Sequence, residues 1–390
     1  MGERADNSAR WIVRRAAKAA LANALCASGA RRLVRSVARR IAGGARLVIL
    51  SYHAPTRDFG ATAREALPSL LISAATLRRQ LEQVAREREI ISLDEACHRL
   101  EARPSPAGRG RVADTASITF DDAYMGVHEL ALPVLRDLRI PATVFVPTGY
   151  VGTAQRLLHD RLFAALCELR RRQLLPQAAG LSGHLQRMLD ACAAEGCGST
   201  LDRLVALLSH DRLAAIALAL EKRLGMHERD LPEVTRIMGW DELRALRSAG
   251  ITVGGHTVNH VVLANVPLSR ARLEIEGCRD EMERHLGEPP RHFAYPNGVF
   301  TPRVRDAVAS AGFSCAVTTD DAENRRGQDP FTLKRKTLWE NSTLGGTRYS
   351  QAVAACNLDG IFALMGRRAA SGERPDWEAQ EHGEAERAAG

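Results

Sequence analysis

An α/β fold built on parallel strands is what this sequence predicts, and three observations predict it. Short apolar, β-favouring runs alternate with amphipathic helical segments along most of the chain. Strand–helix–strand units follow one another with short turns, and such a crossover joins parallel neighbours. Polar clusters stand where apolar strands end, at TFDD (119–122), HTVNH (256–260) and YPNG (295–298). In parallel α/β folds that is where functional groups gather.

The elements follow in order. Residues 1–45 read as a basic helical N-terminal extension ending at Gly43-Gly44. RLVILSYH (46–53) is a buried strand. SAATLRRQLEQVARER (73–88) opens on a Ser cap and carries Leu77, Leu81 and Val84 at helical spacing. A short strand and a second helix follow at EIISLDEACHRLEAR, then a Pro/Gly/Arg loop over 103–116. ASITF (116–120), the helix 128–139 and the strand 141–150 make one β-α-β unit. Residues 155–236 turn Leu/Ala/Arg-rich with helical periodicity, which predicts a helical insertion. Helix 240–250, strand 251–256, helix 268–286, strand and loop 291–298, helix 301–312 and strand 313–319 resume the alternation. The main domain therefore spans 46–345. Residues 346–390 read as a C-terminal helix and a polar tail whose composition predicts disorder.

Composition bounds the function. The 390 residues are 45% hydrophobic and only 5% aromatic, which supports a sizeable core and disfavours stacking platforms for nucleic acid or glycan. No nucleic-acid motif occurs. Eight cysteines are scattered without a CxxC pair, so they read as reduced core thiols; Cys192 and Cys197 lack partners at zinc spacing. No apolar run is long enough to span a membrane. Lys18 and Asn23 interrupt the N-terminal Ala/Leu run, which argues for a retained helix over a signal peptide and for a cytoplasmic chain. With the net charge of +8, Arg14, Arg15, Lys18, Arg31, Arg32, Arg35, Arg39 and Arg40 allow two readings: peripheral contact with an anionic membrane, or a solvated helix packed on the domain. Oligomeric state is not legible.

The chemistry rests on the three clusters together. Asp121 and Asp122 repel one another at a strand end, and a cation relieves that cost. Side chains of adjacent extended residues point opposite ways, so one carboxylate ligates and the other is free to act as a base. His256 and His260, four apart, share a face if the backbone there is helical. Two imidazoles and one carboxylate make a three-ligand site with room for water. Taken singly, each cluster has a plainer reading: DD as a helix cap, HxxxH as two unrelated loop residues.

ITFDDAYMGVHELALPVLRDLRIPATVFVPTGY, WDELRALRSAGITVGGHTVNH and RHFAYPNG resemble, in this order, the three motif regions of the polysaccharide deacetylases, the NodB-homology or carbohydrate esterase four family. The resemblance covers roughly 46–340. It implies an irregular (β/α)7-type barrel and hydrolysis of an N-acetyl, occasionally an O-acetyl, group on a sugar with a divalent metal, commonly Zn2+. By position it implies Asp121 as base and Asp122, His256 and His260 as metal ligands. Two departures stand out. Ala123 occupies a position that is usually Gly, and the family's late acid histidine is missing, the only late one being His382 in the polar tail. SYHAP (51–55) resembles instead the start of a circularly permuted branch that includes poly-N-acetylglucosamine deacetylases, which makes His53 the acid.

The expected chemistry is attack of metal-activated water on an acetamide, with Asp121 taking the water proton and His53 protonating the leaving amine. The backbone N–H near Tyr295 would help hold the oxyanion, and Pro296, Asn297 and Gly298 would shape the pocket for an N-acetylated glycan. Arg335 or Arg291 would orient Asp121. Two alternatives stay open: a deformylase or deacetylase of a small or lipid-linked amide, and a non-catalytic domain that binds glycan or metal.

Overall fold

The computed structural model describes residues 2–41, 46–101, 114–172, 196–345 and 347–362. Eight strands share its main sheet: β1 (Leu47–Tyr52), β2 (Glu89–Ile90), β3 (Thr115–Phe120), β4 (Ala142–Val146), β5 (Thr252–Gly255), β6 (His292–Ala294), β7 (Cys315–Val317) and β8 (Arg335–Thr337). All pairings are parallel, in the order β8–β1–β3–β4–β5–β6–β7. The short β2 shares an edge of β3 with β4: β2 pairs at Thr115 and Ala116, β4 from Ile118 onward. Leu333, two residues before β8, donates its N–H to Ala316 O at 3.0 Å and accepts from Thr318 N–H at 2.7 Å. That bridge closes the sheet into an irregular seven-stranded α/β barrel.

Alternation along each strand sorts side chains between lumen and helices. On β1, Leu47 and Ile49 face the lumen with Ser51, while Val48, Leu50 and Tyr52 pack outward under the helices. On β3, Ala116, Ile118 and Phe120 go outward, so Ser117 and Thr119 go inward. Ser51 pairs with Thr119 and Tyr52 with Phe120. One step further, the same alternation sets His53 beside Asp121 at the lumen's open end.

Among the described residues, the helices of seven residues or more are α1 (Gly2–Ala27), α2 (Ala30–Ile41), α3 (Ala74–Glu87), α4 (Leu93–Glu101), α5 (Leu132–Leu138), α6 (Leu158–Arg171), α7 (Cys197–Leu207), α8 (His210–Leu224), α9 (Trp240–Ser248), α10 (Leu268–Leu286), α11 (Pro302–Ser310) and α12 (Gln351–Leu358). Helix α3 shows why they form where they do: Ser73 accepts from the Thr76 N–H as cap, and Leu77, Leu81 and Val84 are buried on one stripe. Helices α6, α7 and α8 pack on one another around Leu162, Leu166, Leu204 and Leu220, an apolar cluster of their own. Residues 173–195 of this region and the tail 363–390, expected to be disordered, lie outside the described residues.

The N-terminal helices dock on the barrel through ion pairs. Arg31 pairs with Glu87 and, at 2.8 Å, with Asp359; Arg35 meets Asp114 at 2.8 Å. Asp359 and Asp114 are fully buried, and Arg88 reaches Asp359 at 3.1 Å. Lys18 lies over the Phe362 ring at 4.2 Å. Arg14, Arg32 and Arg40 stay exposed, together with Val13, Leu33 and Val37. Among the described residues no helix is long and apolar enough to cross a membrane.

Candidate active site at the barrel mouth

The segment after β3 carries the acids. Asp121 continues the alternation inward and donates its N–H to Tyr52 O at 2.9 Å. The chain then turns sharply, because Asp122 and Ala123 both take left-handed backbone, at φ 69° and 53°. Such a conformation costs an L residue roughly 1–2 kcal/mol, which gives the physical reason a glycine suits position 123. The turn is held from outside: Met238 N–H donates to Ala123 O at 2.9 Å and Met125 N–H to Arg236 O at 2.7 Å.

The turn sends the two carboxylates to different partners. Asp121 lies against Arg335, whose Nη1 and Nη2 donate to its two oxygens at 2.7 and 2.6 Å. Arg335 is fully buried; its Nη1 also donates to Thr119 Oγ1 at 3.1 Å and its Nε to Thr318 O at 2.8 Å. Burial alone would raise the Asp121 carboxyl, but the guanidinium holds it below its ordinary value. The other candidate for this role, Arg291, is placed elsewhere: it is exposed and pairs with Asp94 at 3.0 Å. It precedes β6, at the far end of the barrel from Asp121. His53 Nε2 stands 3.9 Å from Asp121 Oδ2. Burial lowers the His53 imidazole against the opposing pull of Asp121 and Asp122.

Asp122 faces the histidines. Its Oδ1 lies 3.5 Å from His256 Nε2 and 3.2 Å from His260 Nε2. The three ligand atoms lie within 4.8 Å of one another. Asp122 Oδ1 is buried without a hydrogen bond of good geometry, which suits a donor set made for a cation. The Nδ1 of His256 is 2.7 Å from Ala294 O, which orients the ring and aims Nε2 at Asp122.

The histidines do not share a helix face, because the backbone between them is not helical. Residues 257–262 form a loop in which Thr257 (φ 66°) and His260 (φ 53°) are left-handed. Glu274 of α10, nearly fully buried, holds that loop by accepting from the N–H of Val258 at 3.1 Å and of Asn259 at 2.7 Å. The Asn259 side chain donates to its other oxygen at 2.9 Å. Sequence reasoning missed Glu274, because it sits mid-helix like any charged surface residue.

Tyr295 packs into the core. It is the outward residue after β6, its ring stacked on Phe300 at 4.8 Å and its hydroxyl donating to Phe331 O at 3.1 Å. Its N–H donates to Val317 O at 3.2 Å, so it is spent in the barrel and does not face an oxyanion. Within YPNG the strain falls on Asn297, at φ 58°. Gly298 (φ 70°) has no room for a side chain, since a Cβ there would lie 2.1 Å from Thr319 Oγ1. Pro296 is buried beside it, and Asn297 lines the mouth.

Helices α6 and α8 close one side of that mouth. A narrow cleft between α6, α8 and the barrel is lined by His159, His210, His260 and Asn297, with apolar walls such as Leu162 and Val262. His159 Nε2 lies 4.0 Å from Asp122 Oδ2 and 2.8 Å from the Tyr124 hydroxyl, which donates to Asp160 at 2.9 Å. Burial pushes the His159 imidazole down to about 3, with Asp122 pulling the other way. The sequence offered a weak pointer to these residues, a His-Asp pair opening an apolar helix.

The protein-family profile described as polysaccharide deacetylase matches residues 109–172 and 188–316. No curated protein matches the chain. Among solved structures, the chain is similar to a deacetylase of Streptococcus pyogenes determined with acetate, at 16% identity over 77% of this chain and 95% of that one, with a TM-score of 0.49. It is similar to IcaB from Ammonifex degensii at 21% identity, covering 81% and 98% of the two chains, TM-score 0.48. It is also similar to a de-N-acetylase from Aggregatibacter actinomycetemcomitans at 17% identity, covering 77% and 98%, TM-score 0.46.

Proposed function

Because this chain belongs to the polysaccharide deacetylase family and is a hydrolase of N-acetyl amide bonds, we propose that it removes acetyl from an amino-sugar glycan at the mouth of its barrel, with a divalent metal, Zn2+, held by Asp122, His256 and His260. The observation that carries this reading is the division of labour between adjacent acids: Asp121 is locked to Arg335, and Asp122 faces two imidazoles. The cation would supply Lewis acidity toward water and the acyl oxygen. Everything else falls to the chain. Asp121 stays ionised beside Arg335 and accepts the proton of the attacking water. His53, just past the end of the neighbouring strand β1, gives the leaving nitrogen its proton, so that an amine departs instead of an amide anion. Asn297 and His159 bound the cleft in which the sugar would sit. The test is acetate release from a panel of N-acetylated glucosamine oligomers by metal-replete protein, with the chelated protein as control. A chain that binds one of these glycans and releases no acetate with or without metal would overturn the reading.

The N-terminal hairpin fits an anionic bilayer surface in the same proposal. Exposed Val13, Leu33 and Val37 are interleaved with exposed Arg14, Arg32 and Arg40, the pattern of an interfacial helix. Co-sedimentation with phosphatidylglycerol vesicles but not phosphatidylcholine vesicles is expected, with loss in Arg32→Glu/Arg40→Glu. Equal partition to both vesicle types, or to neither, would remove the membrane contact.

A further inference from the structure

The opposite end of the barrel holds a second cluster of metal-binding side chains that the hydrolytic chemistry does not use. His292 and Cys315 are the first residues of β6 and β7 and are direct register partners in the parallel ladder. Cys97 reaches them from α4, and the two sulfurs and a ring nitrogen of His292 lie within 4.8 Å of one another. The surroundings are the apolar floor of the lumen, Leu47, Ala96, Leu100 and Val317 among them. Buried cysteines alone are ordinary core residues; the histidine is what sets this cluster apart. His292 is 1% exposed. Its Nε2 faces Asp94 Oδ1 at 3.3 Å, while its Nδ1 is buried and without a hydrogen-bond partner. An unpaired buried nitrogen is destabilising, and a metal ion would satisfy it. A carboxylate on one imidazole nitrogen with the other turned to a cation is the usual outer-shell arrangement of metal-bound histidine.

We propose that Cys97, Cys315 and His292 Nδ1 form a second, structural metal site for a thiophilic ion of the zinc type, with Asp94 orienting the imidazole. Two thiolates and a neutral imidazole match such an ion in softness, and they balance its two positive charges. Binding releases two thiol protons and involves no redox step. The ion ties α4 to two adjacent strands, at the point where the barrel is made of three-residue strands and has few ladder bonds to hold it.

The site has a signature that the mouth cannot produce, because the mouth has no sulfur donor. Cobalt(II) loaded into the metal-free full-length protein should give a near-ultraviolet sulfur-to-metal charge-transfer band. That band should persist in Asp122→Asn and in Cys167→Ser/Cys197→Ser, which removes another thiol pair, and vanish in Cys97→Ser/Cys315→Ser. If that double variant does not fold, alkylation of the wild-type protein read by peptide mass spectrometry replaces it. Zinc should then slow modification of Cys97 and Cys315 at least about tenfold, the factor that 1.4 kcal/mol of protection gives. Absence of the sulfur band together with equal alkylation rates would overturn the site. So would a Cys97–Cys315 disulfide in the native chain.

Discussion

The two ends of the barrel are built in different ways from similar parts. At the mouth, Asp122, His256 and His260 come from segments past the ends of strands, and Asp122, Ala123, Thr257, His260 and Asn297 all hold left-handed backbone. At the floor, His292 and Cys315 sit on regular strands, positioned by register. The mouth needs external restraint: Arg335 on Asp121, Glu274 on the HTVNH loop, Ala294 O on His256. The floor needs only its ladder and the helix beside it. Strain held by surrounding contacts is what a reactive site tolerates and a structural one avoids.

Four outcomes would break or sharpen that contrast. The largest belongs to Asp122→Ala, which should lose metal at the mouth and deacetylation together, a fall of at least about 10⁴ in kcat. Retained turnover would end the ligand assignment. Next, Arg335→Met leaves Asp121 buried without its cation and should cost about 3–5 kcal/mol in denaturant unfolding. The sign on pH follows from the same pair. Asp121 is held below its ordinary value in the folded chain. The pair's stabilisation is therefore present above the unfolded carboxylate value and lost as pH falls through the folded one. Without Arg335, burial raises Asp121, and the acid limb of the kcat/KM profile should move to higher pH; an unmoved limb would mean that another group is the base.

His53→Ala comes third: metal content unchanged and kcat lowered by about 10²–10⁴. A residual rate close to wild type would place the acid elsewhere. The smallest effect is expected at Ala123→Gly. Relief of the left-handed backbone, about 1–2 kcal/mol, is offset by loss of a buried methyl, about 0.8 kcal/mol. The net gain of about 0.2–1.2 kcal/mol should show as a small rise in Tm with turnover unchanged. A drop in Tm would mean that the methyl's packing outweighs the turn.

Much of the fold and of the site is legible in the sequence. Short apolar, β-favouring runs mark the strands, and Ser73, Leu77, Leu81 and Val84 mark α3, because composition, helical spacing and capping are local properties of a chain. The order of DD, HxxxH and YPNG points to one rim, and the structure brings Asp122, His256 and His260 within reach of a single ion. Local reasoning fails where partners are distant in sequence. It does not show what holds the loop of His256 and His260, which Glu274 pins, and it leaves Arg335 and Arg291 equal. Which arginine meets Asp121 depends on β8 lying beside β1, so that Arg335, opposite Ile49, reaches up the lumen. The same holds for His159, delivered by α6, and for Cys97, His292 and Cys315, whose spacing in the chain carries no metal motif. Hydrophobic period, turn chemistry and ligand type are written residue by residue, so the sequence by itself determined the barrel's strands and the kind of chemistry at its mouth. Which side chains share a lumen is set by strand order and register, long-range properties that only the tertiary structure decided.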